Sequence, residues 1–172
     1  MDVLVPEPLP AVVPETPRVR IRRAVLDDWW ECGRICYEAF ATVARKHGYP
    51  DDFPSVEAAA EPIRSMILDP RFYGVVSEAE GRVVGSSFLD ERAPIRGIGP
   101  VTVDPRCQDS GTGRALMRAM LDRVGETGAP GVRLIQIAYH CRSLSLYTKL
   151  GFQVRESFAA MYGPPVGVHL RG

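Results

Sequence analysis

The sequence predicts a mixed α/β domain in which helices pack over one layer of sheet. Three observations support this prediction. Segments with the alternation of strands and segments with the periodicity of helices follow one another in the order β α α β β β α β α β β. The length of 172 residues fits one domain. Apolar residues make up 45% of the chain, which is enough for a core and argues against disorder of the whole chain.

The first half of this order follows a proline-rich segment. Residues 1–17 contain five prolines, which lack the N–H that helices and sheets need, so we predict a flexible arm there and a folded domain over residues 18–163. Asp27 or Asp28 can cap the first helix. The predicted elements are a strand at Val19–Arg22, a helix from Trp29 through Val43, a helix from Ser55 to about Leu68, and a hairpin of Phe72–Ser77 and Arg82–Leu89 around a turn at residues 78–81.

The second half combines three kinds of pattern. An amphipathic stretch predicts a helix, an apolar run predicts a central strand buried on both faces, and a glycine ends the last helix. The predicted elements are strands at Ile98–Val103 and Val132–Ala138, helices at Gly113–Val124 and Ser143–Leu150 with Gly151 as terminator, final strands at Phe152–Ser157 and Phe158–Tyr162, and a tail at residues 164–172.

Charge and cysteine content narrow the class of protein. Lys plus Arg and Asp plus Glu both number 21, so the basic excess typical of proteins that bind nucleic acid or anionic membranes is missing. The start, Met1-Asp2-Val3, lacks the features of a secretory signal, and no apolar stretch in the sequence is long enough to span a membrane. The four cysteines have no zinc-type spacing, so we expect reduced thiols, no metal and a cytoplasmic protein.

The most informative segment is a glycine-rich turn between the fourth strand and the next helix. It reads Val101-Thr102-Val103-Asp104-Pro105-Arg106-Cys107-Gln108-Asp109-Ser110-Gly111-Thr112-Gly113-Arg114. A helix N-terminus exposes unpaired N–H groups and a partial positive charge, so this junction suits an anion, above all a phosphate. The two glycines allow a close approach of the backbone, and Arg114 adds a positive charge. The same turn is also compatible with a plain connector.

Two common nucleotide-binding motifs do not fit this turn. A P-loop requires a lysine after the last glycine of GxxxxGK[ST], and none stands there. A dinucleotide fingerprint requires a third glycine where this chain has Leu116, and it follows the first strand of its sheet, whereas this turn follows the fourth.

The pattern Gln108-x-x-Gly111-x-Gly113 resembles the coenzyme A loop of the GNAT superfamily of N-acetyltransferases. The segment Leu146-Tyr147-Thr148-Lys149-Leu150-Gly151-Phe152 is similar to the family's Tyr-x-x-x-Gly-Phe motif. The stretch Gly99-Pro100-Val101-Thr102-Val103-Asp104-Pro105 resembles the fourth strand of one subgroup. The resemblance covers residues 18 to about 163 and implies a mostly antiparallel sheet, a splay between strands 4 and 5, and helices on both faces.

The resemblance also implies that acetyl-CoA binds in this splay. Backbone groups of the fourth strand would pair with the pantetheine arm, the Val103 amide would bond the thioester carbonyl, and the loop amides would hold the pyrophosphate. The implied cofactor-binding residues are Val101, Thr102, Val103, Gln108, Asp109, Ser110, Gly111, Thr112, Gly113, Arg114, His140 and Ser143.

Catalytic roles follow from the same resemblance. Tyr147 matches the family's general acid, which protonates the departing thiolate; otherwise it is a core aromatic. His140 stands where the family commonly has Asn, and it either bonds the pantetheine, relays a proton or makes a simple polar contact. The general base is unassigned: Asp90 and Glu91 acting through water are one option, and loss of the amine proton to water is another.

The leading interpretation is therefore an enzyme that moves an acetyl group from acetyl-CoA to a primary amine of a small molecule or peptide. A non-catalytic module that binds or senses acyl-CoA is the alternative, and a nucleotide-phosphate binder is disfavoured by the missing lysine. The loop at residues 47–54, with two aromatics, a histidine and two acids, is either a substrate wall or a packed connector. We expect no nucleic acid or membrane partner, and the resemblance leaves a homodimer open.

Overall fold

A computed structural model describes residues 19–159. The arm predicted at residues 1–17, the end of the last predicted strand and the tail at residues 164–172 lie outside this range. The elements in chain order are β1 (Arg20–Arg23), α1 (Trp29–Lys46), α2 (Val56–Leu68), β2 (Phe72–Ala79), β3 (Arg82–Asp90), β4 (Ile95–Val103), α3 (Thr112–Glu126), β5 (Gly131–Leu134) and α4 (Cys141–Lys149), with single 3-10 turns at Leu26–Asp28 and Pro105–Cys107.

The strands form one sheet in the order β1-β2-β3-β4-β5. Neighbouring strands run antiparallel except β4 and β5, which are parallel. The hairpin of β2 and β3 closes on Glu80 and Gly81, which both have positive φ, so its turn is shorter than the predicted one. The predicted mixed, mostly antiparallel sheet is confirmed.

Helices cover both faces of this sheet, as expected. Successive side chains of a strand point to opposite faces. Val75 and Leu89 therefore pack with α3, whereas their neighbours Val76 and Phe88 pack with α1 and α2. The helical members of the two clusters are Leu116, Met117 and Met120 on one side and Cys32 and Ile63 on the other.

At the N-terminus of α1, the side chain of the predicted capping residue Asp28 makes other hydrogen bonds. Asp28 occupies the N-cap position, but its side chain makes no capping bond. Its carboxylate instead accepts hydrogen bonds of 2.7 and 2.8 Å from the guanidinium of Arg22 and one of 2.8 Å from the Val25 amide. A charged donor makes the stronger bond, so the ion pair replaces the cap.

The prediction of a long central strand at residues 132–138 is wrong. β5 contains only Gly131–Leu134, lies at the edge of the described sheet, and is followed by Ile135, whose side chain is 81% exposed. Its pairing with β4 ends at Ile98 and Leu134. Pro100 follows on β4 and has no N–H with which to extend the ladder, so β5 cannot continue along it.

The predicted strand at Phe152–Ser157 is also wrong. Residues 152–159 have no helical or strand structure, and Val154 and Phe158 are 70% and 71% exposed. Alternation of apolar and polar residues forms a strand only where one face has a core to cover. Phe152 packs against the core, but residues 153–159 are exposed and have no described core to cover.

Candidate active site

The gap between β4 and β5 is the first component of the site. On one side β4 pairs with β3 through Gly85–Val103, Ser86–Thr102 and Ser87–Val101. On its other side, the pairing with β5 ends at Ile98, so no described strand adjoins β4 from residue 99 onward. The backbone of Val101–Val103 therefore presents a free edge, to which an extended ligand can add like a strand. The predicted splay is confirmed.

Side chains hold this part of β4 against β3. Thr102 is buried, and its hydroxyl lies 3.1 Å from that of Ser86. Gly85 approaches the carbonyl of Thr102 so closely that a Cβ there would lie 2.7 Å from the oxygen. Both the carbonyl and the hydroxyl of Thr102 thus lie against β3, so this residue holds β4 in the sheet.

Asp104 fixes the direction in which the chain leaves β4. Its carboxylate accepts a hydrogen bond of 2.9 Å from the backbone amide of Arg106 and two of 3.0 and 2.7 Å from the Arg106 guanidinium. The guanidinium of Arg34 lies 3.5 Å from the same carboxylate. The hydrogen bonds from Arg106 hold the pKa of Asp104 at about 2, against the opposing effect of burial. Sequence analysis did not single out this residue, although an Asp that bonds the amide two positions on is a known turn pattern.

Hydrogen bonds within the glycine-rich loop define its geometry. The Ser110 hydroxyl donates 2.6 Å to the Cys107 carbonyl and lies 2.7 Å from the hydroxyl of buried Thr112. Gly111 precedes α3 with φ of 81°, and its carbonyl accepts the amide of Ala115. The first N–H groups of a helix have no intrahelical acceptor, so those of residues 112–114 are available to an anion. Arg114 is exposed beside them.

The side chain of Gln108 hydrogen-bonds to other residues of the protein. Its amide nitrogen donates 3.3 Å to the Val103 carbonyl, and its oxygen accepts a 2.8 Å bond from Arg142. Arg142 also pairs with the exposed carboxylate of Asp109. Sequence analysis missed Arg142, because nothing in the local pattern of α4 indicates that it reaches the loop. It adds a positive charge to the predicted anion site.

The helix α4 packs directly on the loop. A Cβ on Gly113 would lie 3.4 Å from Leu146 and 3.8 Å from Val103. Tyr147, the next residue after Leu146, packs against the core beneath α3. The centroid of its ring lies 6.1 Å from that of Phe152. The two motifs that carried the resemblance therefore meet in space.

Two groups on α4 are in protonation states suited to catalysis. Burial raises the pKa of Tyr147 above its ordinary value, and a hydrogen bond with Ser143 opposes this only in part. Burial lowers the pKa of His140, and the charges of Arg142, His47 and Lys46 lower it further. At neutral pH, Tyr147 therefore holds its proton, whereas His140 is uncharged.

The side chains of His140 and Ser143 form a hydrogen bond. His140 is the N-cap residue of α4, and its Nδ1 lies 2.9 Å from the hydroxyl of Ser143. Tyr147 follows one turn later on the same face of the helix. The three residues therefore lie along one side of α4.

An aromatic cluster joins the loop after α1 to the residue before His140. The rings of Tyr49 and Tyr139 stack 4.6 Å apart with an interplanar angle of 7°, and the ring of His47 lies 4.9 Å from Tyr139. Nothing in the sequence relates positions this far apart, so Tyr139 was missed. The loop at residues 47–54 thus packs beside the candidate site, which is compatible with both interpretations of it.

The two acids considered as bases are already engaged. The carboxylate of Asp90 accepts 2.8 and 2.7 Å bonds from the Arg92 guanidinium, and that of Glu91 accepts 2.8 and 3.2 Å bonds from Arg123. Hydrogen bonds from Arg92 also lower the pKa of Asp90. Both carboxylates are therefore held by arginines, and the lowered pKa makes Asp90 a poor proton acceptor.

Residues 19–159 hold no cluster of three or more metal-ligating side chains placed around a common point. None of the described helices is both long enough and apolar enough to cross a bilayer.

A mostly antiparallel sheet with a gap between β4 and β5, a glycine-rich loop at the start of α3 and a half-buried tyrosine on α4 form the arrangement expected of an acyl-CoA-binding domain. Residues 24–152 match the model of the Acetyltransferase (GNAT) family. The chain belongs to this family, as predicted.

Curated relatives and solved structures agree with this assignment. The chain is 35% identical over 85 residues to a mycothiol acetyltransferase of Nocardia farcinica, which covers 47% of the chain but only 28% of that relative. The fold is similar to that of the PaiA N-acetyltransferase of Thermoplasma acidophilum in complex with coenzyme A, with a TM-score of 0.72, 16% identity, and coverage of 82% of this chain and 93% of that one. It is also similar to the ribosomal-protein-S18-alanine N-acetyltransferase of Escherichia coli, with a TM-score of 0.65, 19% identity, and coverage of 81% and 80%.

Proposed function

We propose that this chain acetylates a primary amine of a small molecule by direct attack of the amine on the thioester, with Tyr147 as the general acid. The observation that carries the proposal is the position of Tyr147. It is half-buried and protonated on α4, next to Leu146, which contacts Gly113 in the first turn of α3. A phenol held there can deliver a proton to a thiolate that leaves along the β4 edge.

The same geometry supports the proposed cofactor contacts. The free edge of Val101–Val103 suits the amide groups of the pantetheine arm, and the Val103 amide suits the thioester carbonyl. The N–H groups at residues 111–114 and the guanidinium of Arg142 suit the pyrophosphate. The side chains of Gln108, Ser110 and Thr112 contribute by shaping the loop rather than by contacting the cofactor. In this proposal His140 and Ser143 also bind the cofactor, from the N-terminal end of α4.

A small-molecule acceptor is favoured over a peptide. The relatives with the higher identity are mycothiol acetyltransferases, whose name specifies a small molecule. The aromatic cluster of His47, Tyr49 and Tyr139 directly precedes His140, and in this proposal it forms one wall of the acceptor site. A peptide N-terminus is the second candidate, since the alanine N-acetyltransferase shares the fold.

Calorimetry and a thiol-release assay test this proposal together. Wild-type protein and the Tyr147→Phe variant are titrated with acetyl-CoA, and both are assayed with spermidine and with a short peptide beginning with alanine. We expect Tyr147→Phe to bind acetyl-CoA within about two-fold of wild type and to lose roughly a hundred-fold in kcat, which is typical for the loss of a general acid. The Tyr37→Phe variant, on α1, is the matched control and should behave as wild type.

The alternative of an acyl-CoA sensor gives a different result. A sensor binds acetyl-CoA but releases no thiol with any amine, so Tyr147→Phe has no rate to lower. Failure of the wild-type protein to bind acetyl-CoA would contradict both the enzyme and the sensor.

A further inference from the structure

Large apolar side chains are exposed where β1 leads into α1. Val25, Leu26 and Trp30 each expose between 42% and 51% of their surface, and Leu68, the last residue of α2, exposes 52%. Val25 and Leu26 are adjacent, and Trp30 follows Leu26 by four residues. We call these four residues the Trp30 surface. Adjoining exposed apolar side chains mark places where another segment or molecule binds.

The packing of α2 on α1 brings Leu68 to this surface. Gly33 of α1 lies directly against Ala60 of α2, and Ala24 and Ile67 pack against one shared apolar cluster. The 3-10 turn before α1 also contacts α2. The chain before Gly33 therefore runs beside the chain after Ala60, so α2 ends close to the start of α1.

An edge-to-face pair of indole rings lies at the centre of the surface. The ring centroids of Trp29 and Trp30 are 5.4 Å apart, with an interplanar angle of 72°. Trp30 is exposed and Trp29 is half-buried. Proline-rich segments in the polyproline II conformation dock on exposed aromatic side chains, because their rings are apolar and lose little entropy on binding. The Trp30 surface therefore suits a proline-rich segment.

The chain itself contains such a segment directly before β1. Residues 6–17 include five prolines. A polyproline II helix has three residues per turn, so every third residue lies on the same edge. One edge consists of Pro8, Ala11, Pro14 and Pro17, which are all apolar.

We infer that residues 6–17 dock on the Trp30 surface of the same chain, with the edge of Pro8, Ala11 and Pro14 against the indole rings. The docked segment needs no ladder with β1, since proline has no N–H to donate. The inference does not depend on the proposed function. The surface adjoins β1, and the candidate active site lies between β4 and β5, at the other end of the sheet.

The segment is long enough to reach the surface. A strand rises about 3.3 Å per residue, so Val25 lies about 17 Å from Arg20, where β1 begins. A polyproline II helix rises about 3.1 Å per residue, so residues 8–17 span roughly 28 Å. A tethered segment has an effective concentration in the millimolar range, so even a weak contact forms within one chain before it forms between two.

Charge favours the same placement. Residues 1–17 contain three acidic side chains and no basic ones. On its way back along β1 the segment passes Arg20 and Arg23, which are exposed and form no ion pair within residues 19–159. Asp27 is exposed beside Leu26 and opposes this attraction in part. The apolar contact with the indole rings is therefore expected to contribute more than the charges.

Tryptophan fluorescence tests the docking directly, because Trp29 and Trp30 are the two tryptophans of the chain. The full-length variant Pro8→Glu/Pro14→Glu, which places two charges on the docking edge, is compared with wild type. We expect it to shift the emission to longer wavelength and to raise the acrylamide quenching constant about two-fold, since the indole rings lose their cover.

The matched control is Pro10→Glu/Thr16→Glu, which adds the same two charges on a different edge of the segment. Its emission and quenching should be those of wild type. All four positions precede the described fold, and far-UV circular dichroism checks that each variant keeps it.

Photo-crosslinking identifies the surface that is covered and the chain that covers it. Full-length protein with p-benzoylphenylalanine in place of Ala11 is irradiated as an equal mixture of nitrogen-15-labelled and unlabelled chains. We expect cross-links to the peptide that contains Trp30, with the same isotope in both halves. Leu26→Ser should lower their yield, whereas Val154→Ser, which removes an exposed apolar side chain elsewhere, should not.

Three results would overturn the inference. The first is equal quenching in the two double variants, and the second is cross-links that map away from the Trp30 surface. The third is cross-links that join labelled to unlabelled chains, which would assign the surface to the proline-rich segment of a second copy.

Discussion

The guanidinium of Arg142 on α4 donates a 2.8 Å hydrogen bond to the side-chain oxygen of Gln108 in the glycine-rich loop. The nitrogen of the same Gln108 amide donates to the carbonyl of Val103, the last residue of β4. One side chain therefore connects the helix that carries Tyr147 to the loop and to the strand edge. We therefore expect a ligand that shifts the loop to shift the helix of the proposed acid as well.

Arg142 and Asp109 should affect cofactor binding in opposite directions. The carboxylate of Asp109 forms an ion pair with the guanidinium of Arg142, and it therefore competes with a phosphate for that positive charge. We expect Arg142→Ala to weaken coenzyme A binding about ten-fold, because a charge-assisted bond contributes roughly 1.5–3 kcal/mol before solvent screening reduces it. Asp109→Asn should strengthen binding, because it removes both a competitor and a negative charge.

Isothermal titration at low and high salt measures both variants. The matched control is the exposed pair of Arg71 and Asp69, which lies at the other end of the sheet, where Phe72 pairs with Asp90. Arg71→Ala should leave the affinity unchanged. Equal weakening by Arg142→Ala and Asp109→Asn would show instead that the pair is needed to shape the loop.

Gly111 should be required for its backbone conformation. It has φ of 81°, and a Cβ at this position would meet no atom within 4 Å. Gly128, after α3, also has a positive φ, of 61°, and a Cβ there would likewise meet no atom within 4 Å. Alanine at either position should cost about 1 kcal/mol of folding free energy through the left-handed backbone. Only Gly111→Ala should also weaken coenzyme A binding, and Gly111→Asp should weaken it more by adding negative charge.

Thermal unfolding and calorimetry on the two alanine variants separate these effects. The difference between them isolates the contribution of the loop, since the cost of the conformation is common to both. Equal coenzyme A affinity in Gly111→Ala and Gly128→Ala would contradict the assignment of this loop to the cofactor.

Local patterns in the sequence predicted most of this fold and the parts of the site that are contiguous in the chain. The helices follow from apolar periodicity and from breaks such as Gly151, whose φ is 94°. The loop from Gln108 to Gly113 and the position of Tyr147 follow from short motifs. These features depend on residues close together in sequence, so one sequence is enough to indicate them.

The parts that were missed depend on contacts between distant segments. The end of β5 is set by Pro100 on a neighbouring strand, and the segment after Phe152 has no core to pack against. The stack of Tyr49 on Tyr139 and the bond from Arg142 to Gln108 each join residues that no local pattern relates. The preference of Asp28 for Arg22 over the helix end is of the same kind.

Asp104 should make stability depend on pH in the acid range. Its folded-state pKa of about 2 lies below that of an unfolded Asp, so its contribution is present above about pH 4 and is lost as the pH falls toward 2. The side chain is 4% exposed, and the shift corresponds to about 2 kcal/mol. Asp104→Asn should lose about this amount at pH 7 and show a flatter pH dependence.

Urea unfolding between pH 7 and pH 2.5 tests this prediction. Asp69 is the control, because hydrogen bonds from Arg71 also hold its pKa at about 2, but the pair lies in solvent. Salt and water screen such pairs, so Asp69→Asn should lose less stability. An Asp104→Asn variant with the acid dependence of the wild type would show that Asp104 does not carry the effect.

Gly33 should be the least tolerant glycine of the helical layer. A Cβ at Gly33 would lie 2.2 Å from the Cβ and 2.4 Å from the Cα of Ala60, so alanine there forces α1 and α2 apart. We expect Gly33→Ala to cost about 3 kcal/mol of folding free energy, at the upper end for overpacking. Gly125→Ala in α3, where a Cβ meets nothing within 4 Å, should instead gain up to about 1 kcal/mol. Adding Ala60→Gly should rescue the stability of Gly33→Ala only in part, because the clash with the backbone Cα remains. A full rescue by Ala60→Gly would contradict the backbone clash.

The same variant should also affect the acceptor site. The loop between α1 and α2 carries His47 and Tyr49 of the aromatic cluster beside His140, so the displaced helices should raise the KM for the amine more than the KM for acetyl-CoA.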